Sequence, residues 1–397
     1  MEKAVTKLRE EMQSVLTENI LPFWMNRMVD TEHGGFYGCI SGNGEVIGGA
    51  PKGVVLNARI LWTFSSAYRL LRKEEYLEMA TRAKREIIDH FYDPVYGGVY
   101  WSLSEDHTPL DTKKQIYALG FAIYGLSEYF RATEDKEALE YAIRLFNDIE
   151  EHSFDRKKNG YCEALTREWG TIADMRLSEK DENERKTMNT HLHILEPYAN
   201  LYRIWQDDWL EKQLRNLIEL FTDRIMNLET KHLDLFFNDD WNSKYNIVSY
   251  GHDIEASWLL HEAALTLGDR RLAEHIEPYV IDIAEAASEG FLPGAGMIYE
   301  MHGDRASIDA DRHWWVQAES VVGYMNLYQY FDDRLSLVRA TQCWEFIKKY
   351  LIDSEGEWFW SLRADGTVNK TDDKAGFWKC PYHNGRMCME VIERFHE

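Results

Sequence analysis

Apolar residues recur three and four positions apart along much of this chain, which is the spacing of an amphipathic helix. One such stretch carries Leu139, Ala142, Ile143, Phe146 and Ile149 on a single face. The same spacing predicts twelve helices. They cover residues 2–18, 55–72, 75–92, 112–131, 136–151, 186–205, 208–226, 249–267, 270–288, 311–331, 334–351 and 378–396.

Alternate helices in this series differ in polarity. In the even-numbered members, residues 119–126 and 320–328 are nearly free of charge, whereas residues 73–90 and 270–287 in the odd-numbered members are densely charged. The even members begin roughly every 60–65 residues, a period that suits a repeat of paired helices. We therefore expect the even helices to form an inner wall and the odd helices an outer wall.

Short aromatic segments, most of them following a glycine, occur in the connectors that enter the even helices, at 34–38, 97–101, 160–163 and 357–360. They predict short β-hairpins, and because these connectors are the long ones, they should gather on one functional face. Six helical hairpins closed into a ring give an all-α (α/α)6 barrel, predicted as one domain over residues 1–397. A superhelical solenoid is the alternative, but a TPR repeat is only about half as long.

The composition narrows the functional classes. A formal net charge of −23 argues against nucleic-acid binding, because a polyanion requires a basic face. The five cysteines are scattered without a Cys-x-x-Cys pair, so neither a zinc site nor a disulfide framework is predicted. The sequence contains no glycine motif for binding a dinucleotide or a phosphate, so no cofactor is predicted. Without a signal peptide or an apolar run of membrane-spanning length, we expect a monomeric, cytoplasmic protein that makes no membrane contact.

Two of the even helices open with histidines. His252 and Glu255 are three positions apart and therefore face the same side of their helix. A carboxylate beside an imidazole fixes its tautomer and raises its basicity, as a base working near neutral pH requires. His383 lies in a dense polar and aromatic motif at the last helix and is the natural partner for His252. The alternative is a buried histidine with a purely structural role.

A third even helix opens with Asn189 and His193, which are four positions apart on one face. His191 points elsewhere, so this spacing argues against a metal-binding His-x-His pair. The sequence His261-Glu262 is not followed by the second histidine of a zinc protease motif, and no metal is predicted.

The first turns of the other even helices supply a cation and aromatic surfaces. Arg59 either pairs with an acidic neighbour or, in a sugar site, polarises a carbonyl or binds an enolate oxygen. Tyr117 would add a hydrogen bond. Trp314 and Trp315, with Glu319 four positions after Trp315, are expected to form a wall that contacts substrate.

Five motifs in this order carry a family resemblance: LNARILW at 56–62, KTMNTHLH at 186–193, SYGHDIEASW at 249–258, WWVQAE at 314–319 and WKCPYHNGR at 378–386. Together they resemble the N-acylglucosamine 2-epimerase superfamily, and specifically its cellobiose 2-epimerase branch, over nearly the whole chain from residue 22 onward. The resemblance implies an (α/α)6 barrel that epimerises C2 of the reducing-end sugar of β-1,4-linked disaccharides. It implies that His252 and His383 are the two acid/base residues. The residues implied to bind or polarise substrate are Arg59, Tyr117, Asn189, His193, Glu255, Trp315 and Trp378.

The chemistry of an open-chain aldose agrees with this implication. The C1 carbonyl acidifies the C2 proton, and a histidine that removes it leaves an enediolate whose charge requires Arg59 and His193 nearby. Inversion then requires a proton from the opposite face, supplied by a second histidine or after a turn about C2–C3.

Three other functions remain open at this point. An aldose–ketose isomerase of the same superfamily, acting on mannose or a modified glucose, shares the enediolate but returns the proton to C1. A glycoside hydrolase would use two of Asp253, Glu255 and Glu319 and would leave the histidines without a role. A non-catalytic sugar-binding module would not require two histidines on facing walls.

Overall fold

A computed structural model describes residues 2–303 and 306–395, in which thirteen α-helices occur. They are α1 (Glu2–Val15), α2 (Leu21–Arg27), α3 (Val54–Leu71), α4 (Glu74–Arg85), α5 (Ile116–Thr133), α6 (Lys136–His152), α7 (Met188–Tyr202), α8 (Asp208–Leu220), α9 (Tyr250–Thr266), α10 (Arg270–Ala287), α11 (Trp314–Phe331), α12 (Arg334–Tyr350) and α13 (Tyr382–Arg394). Single π-helical turns at Leu16–Ile20, Glu86–Phe91 and Phe221–Ile225 continue α1, α4 and α8, and a 3-10 turn at Ser288–Gly290 continues α10.

The helices form two concentric rings. Helices α3, α5, α7, α9, α11 and α13 pack on one another in this order, and α13 also packs on α3, which closes the inner ring. Outside them, α4, α6, α8, α10 and α12 each pack on the inner helix that precedes them, while α1 packs on α13. The predicted (α/α)6 barrel is confirmed. Among the described residues, every helix is too short or too polar to cross a bilayer.

The inner helices are buried on almost all sides. Helix α5 is buried without interruption from Ile116 to Tyr129, and a helix buried all round must be apolar all round. This is the physical reason why low charge marks the inner members. Helices α5 and α7 approach so closely that a Cβ added to Gly120 would lie 2.2 Å from the carbonyl oxygen of His193.

Fourteen short strands lie in the connectors. They are β1 (Lys52–Gly53), β2 (Ser102–Leu103), β3 (Pro109–Asp111), β4 (Lys114–Gln115), β5 (Ala164–Leu165), β6 (Lys186–Thr187), β7 (Phe236–Phe237), β8 (Ile247–Ser249), β9 (Phe291–Leu292), β10 (Gly296–Met297), β11 (Glu300–His302), β12 (Ser307–Asp309), β13 (Arg312–His313) and β14 (Ser361–Leu362). All pairings are antiparallel, and the sheets are β1-β2-β3, β4-β5, β6-β7, β8-β11-β12, β9-β10 and β13-β14.

These strands link each repeat to the next at the end where the inner helices begin. The strand before an inner helix pairs with the hairpin of the following repeat, as β4 does with β5 and β6 with β7. An isolated bridge between Ile40 and Ala375 joins the first and last connectors. The predicted hairpins on one face are therefore confirmed.

Buried ion pairs hold the connectors to the inner helices. Lysines just before four inner helices reach back to an acidic residue that follows the preceding outer helix, and removing one partner of such a pair costs about 3–5 kcal/mol. The pairs are Lys52–Asp30 at 3.2 Å, Lys114–Asp93 at 3.0 Å, Lys186–Asp155 at 3.3 Å and Lys379–Glu357 at 2.6 Å.

Several helix boundaries differ from the predicted ones. Helices predicted from 112, 186 and 378 begin at Ile116, Met188 and Tyr382, because β4 precedes α5, β6 precedes α7, and bends and irregular backbone precede α13. The first predicted helix, 2–18, instead continues through a π turn to Arg27, with a proline tolerated in the first turn of α2. The predicted end of the last helix at 396 lies outside the described residues.

Candidate active site

A cavity of about 510 Å³ lies at the face where the inner helices begin. Every inner helix contributes to it, and all but one of the predicted site residues line its wall. They are Arg59, Tyr117, Asn189, His193, His252, Glu255, Trp314, Trp315, Trp378 and His383.

Glu319 is the predicted site residue that does not line the cavity. It is fully buried behind His383, whose Nδ1–H donates to Glu319 Oε1 at 2.7 Å. The predicted contact of Glu319 with substrate is therefore wrong, because the carboxylate is covered by the imidazole that it orients. This hydrogen bond leaves Nε2 of His383 for a ligand. Burial, followed by the positive charges of Arg59 and Arg386, lowers the pKa of His383 well below its usual value.

His252 has a different partner from the expected one. Its Nδ1 lies 2.8 Å from the hydroxyl oxygen of Ser249, whereas the carboxylate of Glu255 turns towards Arg386 and His383. The expectation that Glu255 fixes the tautomer of His252 is therefore wrong, since both side chains face the cavity but reach different partners. Burial, reinforced by His193, lowers the pKa of His252 to about 3.

His193 is held by a residue of its own helix. Glu196 is three positions further along α7, and its Oε2 lies 3.1 Å from Nδ1 of His193. Burial would raise the pKa of Glu196, but Arg386 and His193 outweigh it and lower this pKa to about 2. A negatively charged carboxylate therefore stands behind His193. Glu319 stands behind His383 in the same way, but there burial outweighs the charge of Arg386 and raises the pKa of Glu319.

Arg386 connects the carboxylates beneath the cavity. Its guanidinium donates to Glu196, to Glu255 at 2.8 Å and to Glu319 at 2.7 Å. It also contacts the hydroxyl of Tyr382, and it is completely buried. One cation thus fixes both the carboxylate behind His193 and the carboxylate behind His383.

The same network accounts for a potential metal-binding cluster at the base of the cavity. Glu255, Glu319 and His383 bring one ligand atom each within 4.8 Å of one another. However, Oε1 of both carboxylates already accepts from Nη2 of Arg386. The guanidinium therefore supplies the positive charge at this position.

Arg59 is bonded quite differently from Arg386. It donates to the hydroxyl of Tyr117 at 2.7 Å and to the sulfur of Cys380 at 3.6 Å, and its guanidinium lies 4.2 Å from the ring centroid of Phe121. Neither hydrogen-bond acceptor is a carboxylate. Its Nε has no hydrogen-bond partner among the described residues. The positive charge of Arg59 is therefore available to a ligand.

Aromatic rings pack against both histidines. The ring centroid of Trp315 lies 4.8 Å from that of His252 and 5.6 Å from that of His383. Trp314 packs on Trp360 at 4.6 Å, and Trp360 also lines the cavity although the sequence indicated only a hairpin there.

The cavity has a polar outer rim. It is formed by residues 176–182 and by Glu300 and His302 of β11. By contrast, Asp253 accepts hydrogen bonds from Nδ1 of His232 at 2.7 Å and from the backbone of Leu233, and it does not line the cavity. Of the three carboxylates that a hydrolase could use, only Glu255 reaches the cavity.

Sequence reasoning missed Ser249, Glu196 and Arg386. The first two could have been found, because each lies three positions from its histidine on the same helical turn. Arg386 stands in one of the recognised motifs, but its three carboxylate partners come from other helices, and no spacing in the sequence indicates such a meeting.

Known proteins are similar to this chain over nearly its whole length. The family model for N-acylglucosamine 2-epimerase (GlcNAc 2-epimerase) matches residues 35–385. The cellobiose 2-epimerase of Bacteroides fragilis is 69% identical over 386 residues, which are 97% of this chain and 98% of that protein. That of Ruminococcus albus is 42% identical with the same coverage. The solved structure of cellobiose 2-epimerase from Bacillus thermoamylovorans has a TM-score of 0.93 at 42% identity, covering 98% of this chain and 100% of that one. The chain belongs to the N-acylglucosamine 2-epimerase family.

Proposed function

We propose that this protein is an isomerase that epimerises C2 of the reducing-end glucose of β-1,4-linked disaccharides. Cellobiose would become glucosyl-mannose, and lactose would become epilactose. The observation that carries the proposal is that His252 and His383 both pack against Trp315 and line one cavity with Arg59, whose guanidinium has no carboxylate partner. Membership of the family and the high identity to proteins named for cellobiose support this choice of substrate.

The reaction begins from the open-chain aldehyde of the reducing-end sugar. Nε2 of one histidine takes the proton from C2, and the electrons of the C–H bond form the C1–C2 double bond of an enediolate. The other histidine, once it has taken up a proton, delivers that proton to the opposite face of C2, and the first histidine releases the proton that it removed, so the product has the same atoms and oxidation state as the substrate. Both imidazoles are neutral at pH 7, because burial lowers the pKa of each.

Arg59 stabilises the negative charge that develops on the enediolate oxygen. A cation already fixed in a buried site needs no reorganisation during the reaction, which makes such stabilisation a large contribution to catalysis. The hydroxyl of Tyr117, 2.7 Å from Nη2, and the ring of Phe121 hold the guanidinium in place.

Several polar atoms in the cavity wall are left for the sugar hydroxyls. Oε2 of Glu255, Oδ1 of Asn189 and Nε1 of Trp314 are buried and have no hydrogen-bond partner among the described residues. Burial, followed by the charge of Glu319, raises the pKa of Glu255 well above its usual value. Its Oε2, which has no hydrogen-bond partner among the described residues, is therefore placed to bond a sugar hydroxyl. The rim at residues 176–182 would receive the second sugar unit.

The test is NMR of C2 proton exchange with cellobiose in D2O containing EDTA. Wild type should incorporate deuterium at C2 and produce a mannose-type anomeric signal, whereas His252→Ala and His383→Ala should each abolish exchange. His261→Ala is the matched control, because His261 also lies in α9 but hydrogen-bonds to Asn326 and does not line the cavity. Substantial epimerisation in both site variants, with the control unchanged, would refute the two-histidine mechanism.

The same spectra separate the alternatives. A ketose signal would indicate an aldose–ketose isomerase, which returns the proton to C1, and free glucose would indicate hydrolysis. No change in the spectrum would mean that the disaccharide is the wrong substrate.

A further inference from the structure

Five connectors of the barrel share one tight turn. In each, the first residue donates its N–H to the carbonyl of the fifth, and the fourth donates to the carbonyl of the first. The fourth residue always has a positive φ, between 63° and 84°. These residues are Gly44, His107, Trp169, Trp241 and Gly366.

The turn at Trp169 shows what this position normally does. Its indole stacks on His152 with centroids 4.2 Å apart and planes 10° apart, and it thereby fixes the turn to the end of α6. Four positions before His152, the carboxylate of Asp148 accepts the backbone N–H of Gly98 at 2.7 Å. This repeat therefore places a carboxylate, an imidazole and an indole side by side.

The preceding repeat has the same arrangement with one chemical difference. Glu86 and His90 occupy the positions of Asp148 and His152, and His107 takes the place of the indole. The two imidazoles stack with centroids 4.0 Å apart, and Nε2 of His107 lies 2.9 Å from Oε2 of Glu86. A Cβ on Gly35 would lie 2.3 Å from the Glu86 carboxylate, which is thus held against the backbone.

We propose that Glu86, His90 and His107 form a binding site for a divalent transition metal of the Zn²⁺ type. One ligand atom from each lies within 4.8 Å of the others. Two imidazole nitrogens and a carboxylate oxygen are a ligand set that Zn²⁺ accepts, with water in the fourth position. None of the three residues lines the catalytic cavity, so the site is independent of the proposed epimerisation.

The local electrostatics favour the ligand form of both imidazoles, whereas burial raises the pKa of the Glu86 carboxyl. Burial lowers the pKa of both imidazoles, and repulsion from His107 lowers that of His90 further, so both are neutral at pH 7. Lys52 is the nearby cation, and it is already paired with Asp30 at 3.2 Å. A neutral imidazole keeps the nitrogen lone pair that a metal requires.

Metal binding requires a small rearrangement. A metal lies in the plane of each imidazole that binds it, so the stacked rings must turn until their nitrogens converge. His90 is only half-buried at the end of a π-helical turn and has room to rotate. The metal would then tie the end of α4 to the 104–108 turn.

The test is titration of the metal-free full chain with Co²⁺, followed by absorption, and with Zn²⁺, followed by calorimetry. Wild type should bind one metal per chain at this site, and His107→Trp should weaken binding at least tenfold. Tryptophan is the residue that two equivalent turns already use, so this variant should keep its fold and its epimerase activity. His90→Gln should weaken binding equally if the first variant folds poorly.

His152→Ala is the matched control, because it removes the stacked imidazole of the neighbouring repeat. It should leave metal affinity unchanged. The proposal is overturned if wild type binds neither metal, or if His107→Trp and His90→Gln both bind as tightly as wild type, which would place the metal elsewhere.

Discussion

Replacing Glu319 with glutamine tests whether His383 depends on a buried carboxylate. Oε1 of Glu319 accepts from His383 at 2.7 Å and from Arg386 at 2.7 Å, while Oε2 accepts from Nε1 of Trp258 at 3.0 Å. Glutamine has nearly the same shape, but it carries no charge. If its oxygen stays with His383 and Arg386, its NH₂ group meets the indole N–H, and one hydrogen bond is lost.

The effect on catalysis follows from the charge that His383 acquires. When this imidazole takes a proton, the Glu319 carboxylate stabilises the resulting imidazolium, and a hydrogen bond to a charged group contributes about 1.5–3 kcal/mol. Each 1.36 kcal/mol corresponds to a factor of ten in rate, so kcat should fall roughly 10- to 150-fold. KM should change little, because Glu319 does not line the cavity.

The assay is kcat and KM for cellobiose epimerisation, together with deuterium exchange at C2. Glu150→Gln is the matched control, because Glu150 is also buried and accepts three hydrogen bonds, from Tyr161, Tyr198 and Trp209. It lies outside the cavity, so its loss should lower stability and leave kcat unchanged. A wild-type kcat for Glu319→Gln would refute the role of the carboxylate, and a large rise in KM alone would make Glu319 a substrate ligand.

Two further predictions concern the inner ring and the histidines. Gly120→Ala should lower the free energy of unfolding by about 1–3 kcal/mol in denaturant titrations, because the new Cβ would lie 2.2 Å from the backbone oxygen of His193; wild-type stability would mean that α5 and α7 can separate freely. The acid limb of kcat/KM should lie below pH 6.5, because burial lowers the pKa of His252 to about 3 and also that of His383, and the base is lost only when pH falls through these values. An acid limb at or above pH 6.5, with the fold intact by circular dichroism, would contradict this.

The fold was predictable because burial leaves a direct mark on composition. An inner helix surrounded by other helices can carry a charge only where a partner compensates it, so the uncharged stretch 119–126 identified the inner wall. The helix starts were less predictable. Lys186 and Lys379 fit helical patterns in the sequence, but each forms a buried ion pair before its helix begins, Lys186 in β6 and Lys379 in irregular backbone.

The residues facing the cavity were also predictable, because they lie at the same end of the inner helices. Their partners were predictable only within one helical turn. Ser249 lies three positions before His252, and Glu255 lies three positions after it. The sequence does not show which of the two side chains the imidazole contacts. Packing decides the matter, since Arg386 draws Glu255 away from His252.

The two arginines of the site illustrate the same limit and explain how the site is organised. Arg59 and Arg386 are both buried guanidiniums in motifs at inner helices, yet one donates to a phenol and a thiol and the other to three carboxylates. Three carboxylates surround the guanidinium of Arg386, so it has no positive charge to spare for substrate, whereas Arg59 has no carboxylate partner. In the proposed mechanism, the developing enediolate is the anion that Arg59 stabilises. The two arginines therefore differ in role because the carboxylates lie around only one of them. The closed ring of helices sets the positions of those carboxylates.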